Sequence, residues 1–248
     1  MSNFDLTGTV ALVTGASGGI GSATVQALAD AGARVIATAM AQTATVAGAI
    51  DYRQLDVTDE HGWAALAAYV DATYRRLDIL VNNAGVVLSA DVEGTTLEQY
   101  RWVNAVMSEG VFLGCKYAIP LMNRNDGGSI INMSSTGALL GYPIFFAYSA
   151  AKGAVRSMTK SIAVMCQEKG YKIRCNSVHP GSIETPMVQQ AEGRPGHEKT
   201  VPVGVLKPGE SGAPEDVAAM IVFLASDESR FVTGAEMVVD NGVTIRPF

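Results

Sequence analysis

Thr9-Val10-Ala11-Leu12-Val13-Thr14-Gly15-Ala16-Ser17-Gly18-Gly19-Ile20-Gly21 is the stretch on which the reading of the fold turns. Residues 9–13 are a short apolar run with the character of a buried strand. Glycines follow, and helical periodicity over 21–31 follows them. A strand entering a glycine-rich turn that opens a helix lets the backbone approach a phosphate closely, and the helix N-terminus stabilises its charge. Gly15, Gly19 and Gly21 are spaced Gly-x-x-x-Gly-x-Gly. Alone, such a cluster could equally be a tight strand-to-helix turn. The strand before it and the helix after it supply the context that a dinucleotide-binding reading needs.

Outward from this turn the same alternation repeats. Strand-like runs lie at 34–38, 53–55, 79–82, 129–133, 173–178 and 236–239, and helical periodicity at 62–75, 97–122, 148–168 and 214–224. Strands alternating with helices imply right-handed βαβ units, hence an α/β fold. The expectation is a single-domain doubly wound parallel sheet over 1–248, Rossmann-like, with seven strands and helices on both faces. Two stretches depart from the pattern. Residues 40–50 are small and polar where a crossover helix would sit, which predicts a short or frayed one. Residues 181–213 are rich in Gly, Pro and charge, as expected of a substrate loop.

Composition removes several function classes. The 248 residues are 48% apolar and 17% charged, with net charge −6. A large core is possible, and nothing offers the clustered cations that nucleic acid requires. Cys115, Cys166 and Cys175 are odd in number and widely spaced, which gives neither a disulfide framework nor a Cys-x-x-Cys pair. His61, His179 and His197 lack ligand spacing, so no metal is expected. With a polar N-terminus and no apolar run of membrane-spanning length, the expectation is a soluble, reduced, cytoplasmic protein without a membrane partner.

Chemistry enters with Tyr148 and Lys152, four residues apart and so on one helix face. A phenol titrates near pH 10, and an adjacent ammonium favours its anion. That is the tuning an acid–base group needs, although the pair alone would also suit a solvated helix face. Ser134 and Ser135 close the strand at 129–133, at the edge where open α/β sheets bind ligands.

These residues together resemble a known family. The turn 14–21, Asn82-Asn83-Ala84-Gly85, Asn104, Ser135, Tyr148-Ser149-Ala150-Ala151-Lys152 and Asn176-Ser177-Val178-His179-Pro180-Gly181 are similar, in this order and spacing, to the classical short-chain dehydrogenases/reductases. The likeness extends over residues 6–242. It implies a nicotinamide-dependent oxidoreductase. In it Tyr148 is the acid/base and Ser135 polarises the substrate oxygen. Lys152 lowers the tyrosine pKa and holds the nicotinamide ribose, and Asn104 anchors a water that continues the proton path. Gly15, Ser17, Gly19, Ile20 and Gly21 would hold the pyrophosphate, Asp56 and Val57 the adenine. Asn83, Ala84 and Gly85 would line the adenine-ribose side. Pro180, Gly181, Ile183 and Thr185 would hold the carboxamide, with His179 a structural neighbour.

The cofactor reading turns on absences. A carboxylate ending the second strand would favour NAD, but Ala39 stands there. A cation in the glycine turn or just after the second strand would favour NADP, but Gly18 and Met40 stand there. A 2′-phosphate left without a cation loses charge-assisted bonds worth about 1.5–3 kcal/mol each, whereas ribose hydroxyls can face water, so NAD is favoured over NADP.

The expected pocket borders are 87–92, 139–146 and the loop after Gly181. Leu88, Leu139, Leu140, Tyr142, Phe145, Phe146, Ile183, Met187 and Val188 there suit a small apolar ketone or alcohol. Residues 170–187 and Asp240-Asn241-Gly242 are similar to hydroxysteroid dehydrogenases within the family. A 3-oxoacyl thioester reductase is the alternative enzyme; it would want basic surface near the pocket to meet a carrier's phosphate arm, and the loop offers only Arg194, Lys199 and Lys207. A catalytically silent dinucleotide sensor or scaffold is the alternative from another class. The apolar surface of the helices at 97–122 and 148–168, with the resemblance, predicts a homotetramer.

Overall fold

The computed structural model describes residues 4–191, 193, 201–204 and 210–246. Seven strands form one parallel sheet in the order β3-β2-β1-β4-β5-β6-β7. They are β1 Val10–Thr14, β2 Arg34–Ala39, β3 Ala49–Gln54, β4 Ile79–Asn82, β5 Gly128–Met133, β6 Ile173–Pro180 and β7 Glu236–Val239. The chain leaves β1 toward β3, returns to β4 and continues the other way. The crossovers therefore diverge between β1 and β4 and open a crevice beyond the carboxyl ends of both strands.

Every residue of β1 and β4 is buried, as expected of strands covered on both faces. On one face α2 (Glu60–Tyr74), α4 (Gly110–Arg124) and α5 (Phe146–Glu168) pack Trp63, Leu66, Met122 and Val155 against the sheet. On the other, α1 (Gly19–Asp30) and α7 (Pro214–Ala225) pack Val25, Leu28, Val217 and Ile221. Burial of each such side chain contributes roughly 1.5–3 kcal/mol. The three cysteines are buried thiols, and burial pushes Cys115 up to about 12. Among the described residues no helix is long and apolar enough to cross a membrane, and no group of three His, Cys, Asp or Glu could hold a metal.

Three expectations need correction. Residues 40–50 form no helix at all. Small polar residues give the segment no apolar stripe to bury, so it passes to β3 through turns. Tyr52 Oη donates to the Ala41 carbonyl at 2.7 Å, and Gln54 Nε2 to the Met40 carbonyl at 2.9 Å. The segment 181–213 contains a helix, α6 (Pro186–Ala191).

The helix expected at 97–122 is three pieces. The first, α3 (Leu97–Asn104), starts with a capping box between Thr96 and Gln99. A π-helical turn at Ala105–Glu109 follows, and then α4. A π turn inserts an extra residue per turn, so the side chains after it face directions that a regular helix would not give them. Hydrophobic spacing does not reveal such an insertion.

Candidate active site

A cleft of about 730 Å³ opens over the carboxyl ends of β1, β4, β5 and β6. Gly15, Ser17, Gly19, Ile20 and Gly21 form its floor at one end. Gly15 and Gly19 have φ of 62° and 54°, in the left-handed region where a side chain strains the backbone. A Cβ on Gly21 would lie 2.2 Å from the Gly15 carbonyl oxygen. Only glycine permits so tight a turn.

Asn83 clamps this turn from the end of β4. Its Nδ2 donates to the Thr14 and Gly15 carbonyls at 3.0 and 3.1 Å, while the backbone N–H groups of Asn83 and Ala84 donate to Thr14 Oγ1 at 3.0 Å each. The first turn of α1 carries no acidic residue, and its N-cap, Gly18, offers no side chain. Its amide groups therefore meet the cleft without competition. This cradle fits a pyrophosphate.

Asp56, Val57, Asn83, Ala84 and Gly85 line the adjoining wall, and Ala39 lies at its rim beside Met40 and Ala41. Asp56 Oδ1 accepts from Thr58 N and Oγ1 at 2.9 and 2.8 Å, which fixes the corner after β3. At the other end Pro180, Gly181, Ile183 and Thr185 reach the cleft where β6 ends. Among the described lining residues Lys152 is the one cation.

The reactive groups gather where β5 meets α5. Ser134 Oγ donates to the Lys152 carbonyl at 3.0 Å, and Lys152 Nζ donates to the Met133 carbonyl at 2.6 Å, so strand end and helix are tied both ways. Lys152 is 5% exposed, and burial pushes its ammonium down to about 7. Its Nζ lies 5.7 Å from the centre of the Tyr148 ring. Ser135 Oγ accepts from Gly137 N at 3.0 Å, leaving its hydroxyl proton for another acceptor.

Burial raises the Tyr148 phenol above its ordinary value, and a hydrogen bond with Ser135 pulls it down. Desolvation disfavours the charged forms of Tyr148 and Lys152 alike.

Asn104 ends α3, outside the residues that line the cleft. Its Nδ2 donates to the Tyr100 carbonyl at 2.8 Å within α3, and its own carbonyl accepts from Ser108 Oγ at 2.9 Å. Met107, in the π turn that starts after it, is buried, lines the cleft and clusters with Val103, Ala147 and Ala151, against which Tyr148 packs.

Of the residues expected at the substrate end, Ile183, Met187 and Val188 line the cleft. Leu88 does not line it but packs, like Tyr148, against the cluster that contains Met107. Leu139, Leu140, Tyr142, Phe145 and Phe146 do not line it, although Phe145 stands 6.3 Å from the Tyr148 ring, centre to centre. Val86, Trp102, Val106, Met107 and Met133 line it unforeseen. Apolar residues at helix or strand spacing read as core, and no sequence signal separates a cleft wall from a core.

Comparison with known proteins agrees with this geometry. A family model described as "Enoyl-(Acyl carrier protein) reductase" matches residues 15–244. The chain is 42% identical to the NADP-dependent (R)-specific alcohol dehydrogenase of Lentilactobacillus kefiri, over 96% of this chain and 98% of that one. It is 37% identical to the 3-beta-hydroxysteroid dehydrogenase of Comamonas testosteroni, over 96% of each. A crystal structure of a short-chain type dehydrogenase/reductase from Mycobacterium marinum superposes with a TM-score of 0.88 at 30% identity, covering 98% of both chains. The chain therefore belongs to the short-chain dehydrogenase/reductase family.

Proposed function

We propose that the protein oxidises apolar secondary alcohols, or reduces the corresponding ketones, with a nicotinamide cofactor and Tyr148 as the acid/base. The observation that carries this reading is the convergence of Ser135, Tyr148 and Lys152 at one end of a cleft whose other end is the glycine cradle. The bound nicotinamide supplies or accepts the hydride. In the reducing direction the Tyr148 hydroxyl donates its proton to the substrate oxygen, and Ser135 orients that oxygen with its free hydroxyl proton. Once ribose hydroxyls offer acceptors, Lys152 Nζ can share its donors between them and the Met133 carbonyl. Its charge is then favoured, and with it the phenolate. Met107 and Met133 add apolar lining to the cleft.

Val86, Met107, Ile183, Met187 and Val188 suit an apolar carbon skeleton. Alcohol and hydroxysteroid dehydrogenases among the relatives agree with that class. The cofactor is NAD. Ala39, Met40 and Ala41 at the rim bring no cation to a 2′-phosphate, and this outweighs the NADP named for the Lentilactobacillus relative. The chain works as one catalytic unit with 181–213 as its substrate loop. The assembly is a homotetramer that covers Phe112 of α4 and Val164 of α5, each about half exposed here. A monomer in light scattering at micromolar concentration would contradict it. Arg194, Lys199 and Lys207, on which a carrier-borne thioester would depend, lie outside the described residues.

The test is a spectrophotometric screen of secondary alcohols and ketones with each dinucleotide. Turnover of apolar substrates with NAD ahead of NADP is expected. Tight dinucleotide binding without turnover of any substrate would instead favour a silent sensor.

A further inference from the structure

His179 is fully buried one residue before the Pro180-Gly181 segment of the cleft. Its Nδ1 lies 3.1 Å from the carbonyl oxygen of Ser135, across 44 residues of sequence, and its Nε2 lies 2.8 Å from Ser177 Oγ. Ser177 Oγ also lies 3.3 Å from the Ala235 carbonyl. A carbonyl only accepts, so Nδ1 must carry a proton; the other tautomer would set two lone pairs against each other. In the neutral ring Nε2 then accepts from the Ser177 hydroxyl. Were the ring protonated, Ser177 would turn its proton to Ala235, and the bond from Nδ1–H to Ser135 would survive.

Ser135 is thus fixed at three points. Its carbonyl accepts from His179 Nδ1 and from Ala138 N at 3.0 Å, and its Oγ accepts from Gly137 N at 3.0 Å. The two backbone donors belong to the same short turn as Ser135 and move with it. His179 ties that turn to β6, and through Ser177 to the segment before β7.

We infer that His179 is a positioning residue, which holds the turn so that the Ser135 hydroxyl meets Tyr148 and the substrate oxygen, with Ser177 bonding the other ring nitrogen. The inference rests on the function proposed above. The charges facing His179 are Glu236 of β7 and Arg156 and Lys152 of α5, and Glu236 is engaged by Arg156 and Lys160. Lys152 and Tyr100 are the titratable groups beside Tyr148.

The test compares His179→Leu, His179→Asn and Ser177→Ala by kcat, KM, cofactor Kd and the pH profile of alcohol oxidation. Leucine removes the donor. Asparagine restores an N–H close to the position of Nδ1. Misplacing a reacting group by about 1 Å can cost on the order of a hundredfold, so His179→Leu is expected to lose at least about tenfold in kcat with cofactor Kd unchanged. The pH midpoint should also move up, because the phenol loses the Ser135 hydrogen bond that lowers it. His179→Asn should recover kcat to within about threefold of wild type, with the wild-type midpoint, since a donor of the same geometry returns. Ser177→Ala should fall between the two.

Wild-type kcat and midpoint in His179→Leu would overturn the inference. So would equal losses in the leucine and asparagine variants without a shift in midpoint, which a purely structural role predicts. Should leucine prevent folding, His179→Ala takes its place, and a wild-type kcat and midpoint there overturn the inference. Failure of the function proposal itself looks different: wild-type protein would turn over nothing.

Discussion

The two ends of the cleft are built on opposite principles. At the β5–α5 end hydrogen bonds tie strand, turn and helix together and leave the Ser135 hydroxyl proton for the substrate. Ser134 bonds the Lys152 backbone, Lys152 bonds the Met133 backbone, and Gly137 and Ala138 hold Ser135. At the β2 end Ala39, Met40 and Ala41 bring apolar side chains, Met40 largely exposed, and their carbonyls accept from Tyr52, Gln54 and Leu55. Chemistry demands fixed geometry, since a reacting proton must pass between atoms in hydrogen-bond contact. Holding a ribose at a solvent-facing rim demands far less. Substitutions at the first end should therefore be costly, and those at the second should retune preference.

Lys152→Met should have the largest effect of three, a loss of about a hundredfold or more in kcat, within the range that acid–base assistance contributes. It should also change how stability responds to pH. Burial holds the folded-state pKa of Lys152 at about 7, below the ordinary 10.5. Between these values the unfolded chain binds a proton that the folded chain does not, so raising the pH from 7 toward 10 stabilises the folded state. Cofactor-free wild type should gain melting temperature relative to Lys152→Met across that window. A constant difference in calorimetry would contradict the burial argument.

Ala39→Asp probes the other end. A carboxylate there should strengthen NAD binding and repel the 2′-phosphate of NADP, shifting the preference by roughly tenfold or more if one charge-assisted bond forms. Unchanged kcat/KM ratios would mean that the ribose lies elsewhere. Asn104→Ala should do least. With its amide bonded inside α3, loss of the side chain should leave kcat within about twofold and cost about 1 kcal/mol of stability. A tenfold fall in kcat would place Asn104 in the proton path.

The same contrast explains what was legible in the sequence. The glycine turn could be read because a Cβ at Gly21 has no room, a constraint that leaves a fixed residue type at a fixed spacing. Tyr148 and Lys152 could be read because i and i+4 share a helix face, and α5 begins at Phe146, before both. The π turn after Asn104 could not be read, because apolar spacing does not mark it, and with it went the place of Met107 in the cluster against which Tyr148 packs. Trp102 and Val106 escaped notice for a related reason, since an apolar side chain is equally content in a core or a cleft wall. His179 was taken as structural from its place in the chain, and its bond to Ser135 became visible only when β6 was laid beside β5.

The central claim is that one phenol carries the proton. Tyr148→Phe removes a single oxygen from a cleft whose cofactor-binding walls it leaves in place, so kcat and dinucleotide Kd should be measured together on that variant. The account predicts a fall in kcat of about a hundredfold or more with nearly unchanged Kd; retention of more than about a tenth of the wild-type rate would contradict it.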